Sequence, residues 1–387
     1  MVIDKSTIIQ GKKLWETAPG PLKELKPVCR KLAAEGSVLL KNDGVLPFGM
    51  GEKVAVFGRT QETYIKSGTG SGGLVRVEKA PCILESLREN GVFSIDEELA
   101  QVYEDWIAEN PYDNGHGWAT EPWSQVEMPL SDTLVKSAKE RNDVAIIIIG
   151  RTAGEDKDNS STEGSYCLSA DEADMIKKVT AEFDRTVVVL NVGNIIDLSF
   201  MDDCNVSALL YVWQGGQEGA NALADMLSGK ISPCGKLPDT QAKKAADYPY
   251  FENFGDKNES IYEEDIYVGY RYFETFAKDK VRYPFGFGLT YTQFETEYSA
   301  VEENNVIKIT AKVKNVGNFA SREVVQVYFG APCGKLGTPA KQLVAYNKTK
   351  VLNPNETEIL EIAFDIKKMA SYDDSGVTGN EFSYVLE

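Results

Sequence analysis

Six consecutive apolar residues, Val144 to Ile149 (VAIIII), predict a β-strand covered on both faces, since a strand with one wet face would alternate with polar residues. Lys53–Gly58 (KVAVFG), Thr186–Asn191 (TVVVLN) and Ala208–Val212 (ALLYV) read the same way. Between them the period changes to that of helices. Ser169 and Glu172 form a capping box, and Met175, Ile176, Val179 and Phe183 follow on one face. Ser131 caps a second helix running through Glu140, and Pro81–Asn90 and Glu97–Glu109 are amphipathic, with a short strand-like Val92–Ile95 between them. Val28–Phe48 gives a short helix, an apolar SVLLKN segment and a turn at Asn42, Asp43 and Gly44. Strand and helix alternating at short intervals predict a three-layer α/β sandwich around a mostly parallel sheet, over residues 28–294.

From Glu295 the pattern becomes one of strands separated by Asn, Gly and Pro turns: VIKITAKVKNVGN, REVVQVYFGAP, KQLVAYNKTKVL and TEILEIAFDI. An all-β sandwich of the fibronectin or immunoglobulin type is expected for 295–387. Residues 1–27 show little periodicity and read as an N-terminal arm.

Composition narrows the function more than the fold. The 387 residues hold two ordinary domains. One histidine, His116, and six cysteines without paired spacing argue against the usual zinc sites, and nothing in the chain implies a cofactor. The formal charge of -18 argues against nucleic acid or an anionic membrane as partner. No apolar run reaches the length of a membrane span and the first residues lack the order of a signal peptide, so a cytoplasmic setting is expected.

In open α/β sheets, ligands are handled beyond the carboxyl ends of the strands. The connection after Ile149, GRTAGEDKDNSSTEGSYCLS, is unusually long and carries Glu155, Asp156, Lys157, Asp158 and Glu163, which makes it either a solvated charged loop or an active-site loop presenting a carboxylate. The glycine-rich SGTGSGGLV (Ser67–Val75) follows the first buried strand but lacks the spacing and the Lys-Ser or Lys-Thr pair of a phosphate cradle; it reads as a tight loop at a domain junction. The aromatic insert NPYDNGHGWATEPW, with Trp118 and Trp123, either walls a sugar site or packs on its own domain.

Taken in order, AAEGSVLLKNDGVLP, SGTGSGGLV, GRTAGEDKD, VVVLNVGN, WQGGQEGANALADMLSGKISPCGKLPDT, YEEDIYVGYRYFE and YPFGFGLTYTQF resemble the second domain of glycoside hydrolase family 3, the β-glucosidase and β-xylosidase group. VKNVGNFASREVVQVYF resembles that family's fibronectin-type domain. The resemblance implies a retaining β-glucosidase whose nucleophile, an aspartate in a Ser-Asp-Trp or Thr-Asp-Trp setting, lies on a TIM barrel absent here. Asp105-Trp106 matches only superficially, being inside a helix. The missing barrel suggests the permuted order in which it follows the fibronectin-type domain, and the end at FSYVLE comes where a further glycine turn and closing strand are expected.

By the same resemblance Gly154-Glu155 matches the Gly-Glu-Gly motif, making Glu155 the acid/base, with Glu163-Gly164 the fallback. Asp156 stands in place of the second glycine and Asn159 where arginine is common. The implied partners are a β-glucoside or related oligosaccharide and a TIM-barrel polypeptide of the same enzyme, with homo-oligomerisation left open. A non-catalytic carbohydrate-binding or scaffold protein of the same descent is the other reading.

Overall fold

The computed structural model describes residues 25–70, 73, 77, 79–249, 251–253, 255, 258–332 and 334–386. Most of the arm expected over residues 1–27 lies outside them, and its last three residues open the first helix, α1 (Leu25–Gly36).

Six strands make the central sheet: β1 (Val38–Asn42), β2 (Lys53–Phe57), β3 (Ser94–Ile95), β4 (Val144–Arg151), β5 (Thr186–Val192) and β6 (Ala208–Tyr211). Their order is β1-β6-β5-β4-β2-β3. All neighbours are parallel except β1, which runs antiparallel to β6 at one edge. The SVLLKN segment is therefore an edge strand.

The strand alternation sorts the isoleucines between two cores. Ile147 and Ile149 pack with Leu99, Tyr103, Val135 and Met175 from α3 (Glu97–Glu109), α4 (Asp132–Arg141) and α5 (Ala170–Glu182). Ile146 and Ile148 face the other way, onto Ala34 of α1, Ile83 and Leu87 of α2 (Ile83–Arg88), and Ala222, Leu223 and Met226 of α7 (Gly219–Leu227). Short α6 (Phe200–Asp203) lies between β5 and β6. Helices on both faces give the three layers that the double-sided apolar strands require.

The chain passes from β2 outward to β3, then returns across β2 to lay down β4, β5 and β6 on the other side. Growth of the sheet reverses between β2 and β4, which makes this the topological switch point, where doubly wound sheets handle ligands.

A two-stranded patch, β7 (Gln241–Ala242) with β8 (Val281–Tyr283), and α8 (Tyr270–Phe276) lead to the all-β region. There β9 (Phe294–Glu303), β10 (Val306–Asn315) and β13 (Thr357–Asp365) form one sheet, and β11 (Val324–Phe329) pairs with β12 (Gln342–Lys348). Ile309, Ile362 and Phe364 pack between the layers against Val325, Val327 and Val344. A hairpin of β14 (Ser371–Asp373) and β15 (Ser383–Val385) follows. Asp373 holds its turn by accepting from the Thr378 hydroxyl, the Thr378 N–H and the Ser375 hydroxyl and N–H, and these donors, the Thr378 hydroxyl foremost, hold its carboxyl well below the usual carboxylate range.

Glu35 at the end of α1 joins the two regions. Its carboxylate, largely shielded, meets Arg322 at 2.9 Å and Lys348 at 3.1 Å. Lys236–Glu323 at 3.0 Å and Lys341–Glu274 at 3.1 Å also cross the junction. Removing Glu35 leaves two half-buried cations facing each other without their anion. Glu35→Ala is expected to lower the unfolding free energy by about 1–3 kcal/mol and to speed amide exchange in β11 and β12. An unchanged denaturation midpoint would show that the junction does not depend on this cluster.

Among the described residues, no helix is long and apolar enough to cross a membrane.

Candidate active site

The loop after β4 is anchored at both ends by one buried ion pair. The strand continues two residues past the isoleucine run to Arg151, whose guanidinium donates to both oxygens of Glu172 (2.6 and 2.7 Å) and to the carbonyls of Gly150, Ser165 and Cys167. Glu172 also completes the capping box of α5 by accepting from Ser169 N–H at 2.8 Å. Both side chains are within 5% of full burial. The fork thereby ties the strand end to the helix start, and the intervening loop is held from below.

Glu155 occupies a tight turn in that loop, closed by the Lys157 N–H donating to the Gly154 carbonyl at 3.1 Å. Gly154 has φ +136° and Asp156 φ +57°, the arrangement of a type II turn with Glu155 at its first central position. The left-handed φ explains why glycine suits the third motif position. Asp tolerates this region better than most residues, so the turn survives the substitution. The Glu155 side chain is exposed and lies against the glycine-rich loop after β2. A Cβ added to Gly70, φ +79°, would fall 2.4 Å from Glu155 Cβ and 2.8 Å from Oε2. Thr69 N–H donates to Ala153 O at 2.7 Å and its hydroxyl to Glu155 O at 3.2 Å.

The described part of the glycine-rich loop, read from sequence as a tight loop at a domain junction, packs directly on the Glu155 turn, and the absence of side chains at Gly68 and Gly70 permits that approach.

Asn191, fully buried on β5, fixes the same rim from the other side. Its amide accepts from Ile65 N–H and donates to Ile65 O (3.0 Å) and Trp213 O (2.6 Å), bridging the loops that leave β2 and β6.

Glu163 sits nearer α5, in a turn closed by Gly164 N–H to Cys167 O at 3.0 Å and Cys167 N–H to Thr162 O at 3.3 Å. It is exposed too, and its neighbour Gly164 abuts Ser124. Asn159 braces the segment between the two glutamates, donating to Ile195 O at 3.0 Å and accepting from the Ser165 hydroxyl at 2.8 Å. Asp105 and Trp106 lie within α3, as their surroundings required.

The aromatic insert packs onto the loop. Arg59, buried just after β2, closes it by donating to the carbonyls at its two ends, Asn110 (3.0 Å) and Val126 (2.6 Å). Trp123 lies under Lys157, whose Nζ is 4.7 Å from the ring centroid, and its indole N–H reaches Asp158 O at 3.1 Å. Thr152 N–H donates to Trp123 O at 2.7 Å.

Beneath the insert, Glu127 accepts from the N–H groups of Arg59 (3.0 Å) and Met128 (2.8 Å). Burial pushes its carboxyl up to about 7 despite those donors. A carboxyl raised in the folded state stabilises fully below its ordinary value, and that contribution is lost as pH rises through the folded value. Stability should therefore decline between about pH 4.5 and pH 7. Urea midpoints of wild type and Glu127→Gln from pH 5 to 8 check this: the decline should flatten in the variant, and equal slopes would contradict it.

Comparison with known proteins decides the lineage. Residues 37–291 match the model of the glycosyl hydrolase family 3 C-terminal domain, and residues 323–380 match a fibronectin type III-like domain. The chain belongs to glycosyl hydrolase family 3. Among family 3 relatives, a β-glucosidase of Ruminococcus albus is 53% identical over 92% of this chain and 37% of its own length. β-Glucosidase A of Butyrivibrio fibrisolvens is 38% identical over 89% of this chain and 46% of its own. The crystal structure of a β-glucosidase from Paenibacillus barengoltzii superposes with a TM-score of 0.92 at 49% identity, covering 95% of this chain and 41% of that one. β-Glucosidase 3B of Thermotoga neapolitana, in complex with glucose, gives 0.85 at 36% identity over 92% and 50%. The chain thus spans half or less of these family 3 proteins.

Proposed function

We propose that this chain supplies the acid/base half of a retaining β-glucosidase active site, with Glu155 as the acid/base and the nucleophile on a TIM barrel. Retaining hydrolysis needs two carboxyl groups about 5–5.5 Å apart, one attacking the anomeric carbon and one protonating the glycosidic oxygen, then deprotonating water. One carboxylate on an exposed turn is suited to the second role. It can reach a bond held by another domain, and docking of that domain would desolvate it and favour its protonated form.

The observation that carries the reading is the placement of Glu155. It stands at the sheet's switch point, on a turn whose shape is kept through Asp156 and whose approach is cleared by Gly70. Glu163 has an exposed carboxylate too, but its turn closes on Cys167 and its neighbour Gly164 abuts Ser124.

The reading is tested by assaying an aryl β-glucoside with the chain alone, with a barrel polypeptide, and with both. Turnover only in the mixture supports it. No turnover in any arm favours a carbohydrate-binding or scaffold role.

A further inference from the structure

The sequence contains two Asn-Gly pairs, Asn90-Gly91 and Asn114-Gly115. Asparagine before glycine is a chemically labile link, because the glycine nitrogen, with no Cβ beside it, can reach the asparagine amide carbon and close a succinimide ring. The fold treats the two pairs in opposite ways. Asn90 is buried and its amide is fully engaged. Its Oδ1 accepts from the N–H groups of Val92 and Phe93 at 2.6 and 3.0 Å, and its Nδ2 donates to the carbonyls of Leu87 and Phe93. Turning toward Gly91 would break these bonds. Asn114 is exposed, in the irregular stretch between α3 and α4, and among the described residues its amide makes one long hydrogen bond, from Nδ2 to Tyr112 O at 3.3 Å.

The nucleophile at this second pair also has a base beside it. Gly115 N–H donates to Asp113 Oδ1 at 2.8 Å. That proton is the one the nitrogen loses as it attacks, and a carboxylate within hydrogen-bond reach of it is placed as a general base. Gln125 fixes the backbone of Asp113 by exchanging two hydrogen bonds with it, at 2.7 and 3.1 Å. Gly115 has φ +68°, and a Cβ there would fall 2.4 Å from Glu121 N, so the shape of the loop keeps the labile glycine in place.

We propose that Asn114 is a site of self-modification, at which Asp113 assists the Gly115 nitrogen in attacking the Asn114 amide. The Gly115 N–Cγ bond forms and the Cγ–Nδ2 bond breaks. The Gly115 proton passes through Asp113 to the departing nitrogen, which leaves as ammonia. Water then opens the succinimide at either carbonyl, giving aspartate or isoaspartate, with nothing oxidised or reduced. Either product adds a negative charge. Isoaspartate also inserts a carbon into the backbone between Asp113 and Gln125, which should weaken their two hydrogen bonds.

The test incubates the full chain, folded and in urea, and follows both pairs by peptide mass mapping, with isoaspartate detected by enzymatic carboxyl methylation. In the folded chain Asn114 should convert at least about tenfold faster than Asn90, whose reaction waits on local opening. In urea the two rates should converge. Asp113→Ser, whose hydroxyl still accepts from the Gly115 N–H but takes up no proton, should slow conversion of Asn114 in the folded chain by about tenfold. Equal rates at the two pairs in the folded chain, or slower reaction of Asn114 folded than in urea, overturns the proposal. An unchanged rate in Asp113→Ser overturns the role given to Asp113.

Discussion

Glu155→Gln is expected to slow hydrolysis of glucosides with alkyl or sugar leaving groups by about 10²–10⁴-fold, with far less effect on leaving-group departure from 2,4-dinitrophenyl β-glucoside. An amide cannot donate the proton that a poor leaving group needs, whereas dinitrophenolate departs without one. The second step loses general-base help with every substrate, so the glycosyl-enzyme should accumulate and show as a burst of dinitrophenol. The size of the effect follows from how the turn is built. Gly154 and Asp156 set its shape, Thr69 pins its backbone, and Gly70 leaves room for the side chain. A uniform loss on all leaving groups, with no burst, would point to disturbed loop structure in place of lost proton transfer.

The second large effect is on stability. Arg151→Ala is expected to cost about 3–5 kcal/mol in chemical denaturation, because it leaves the Glu172 carboxylate buried without its cation and takes one donor away from each of three carbonyls. Lysine should not restore it, since one ammonium cannot reproduce the planar fork. The loop carrying Glu155 should loosen along with the fold, visible as faster amide exchange between Thr152 and Ser169. A loss below about 1 kcal/mol would mean that the pair is not what anchors the loop.

Elements whose apolar pattern has one cause were legible in the sequence. The four internal sheet strands are apolar on both faces because helices cover both, and Ser131 and Ser169 cap helices where their spacing to the next turn predicts. β9 was not legible. Its sequence, FETEYSAVEE, is exposed nearly throughout, so pairing with β10 holds it and no apolar alternation marks it. The end of β4 was misread for a different reason. Gly150 and Arg151 look like loop, yet Arg151 pairs with Val192 and is buried, because a carboxylate twenty-one residues on satisfies it. Buried Glu127 and Asn191 were missed likewise, since what makes each tolerable is a backbone group distant in the chain.

For the site, residue type and order marked the loop and both glutamates, but not their surroundings. The part played by the glycine-rich loop depends on the reversal of strand order between β2 and β4, which no local pattern records. The hydrogen bond that ties the Trp118 indole N–H to Asp156 spans 38 residues.

The most direct measurement of the central claim is the product formed in azide by Glu155→Gln and Glu163→Gln, each combined with the barrel, on 2,4-dinitrophenyl β-glucoside. Azide attacks the glycosyl-enzyme without needing a general base, so it restores turnover only where that base has been removed. The account predicts β-glucosyl azide and recovered turnover with Glu155→Gln, and ordinary hydrolysis to glucose with Glu163→Gln. The reverse pattern would contradict it and make Glu163 the acid/base.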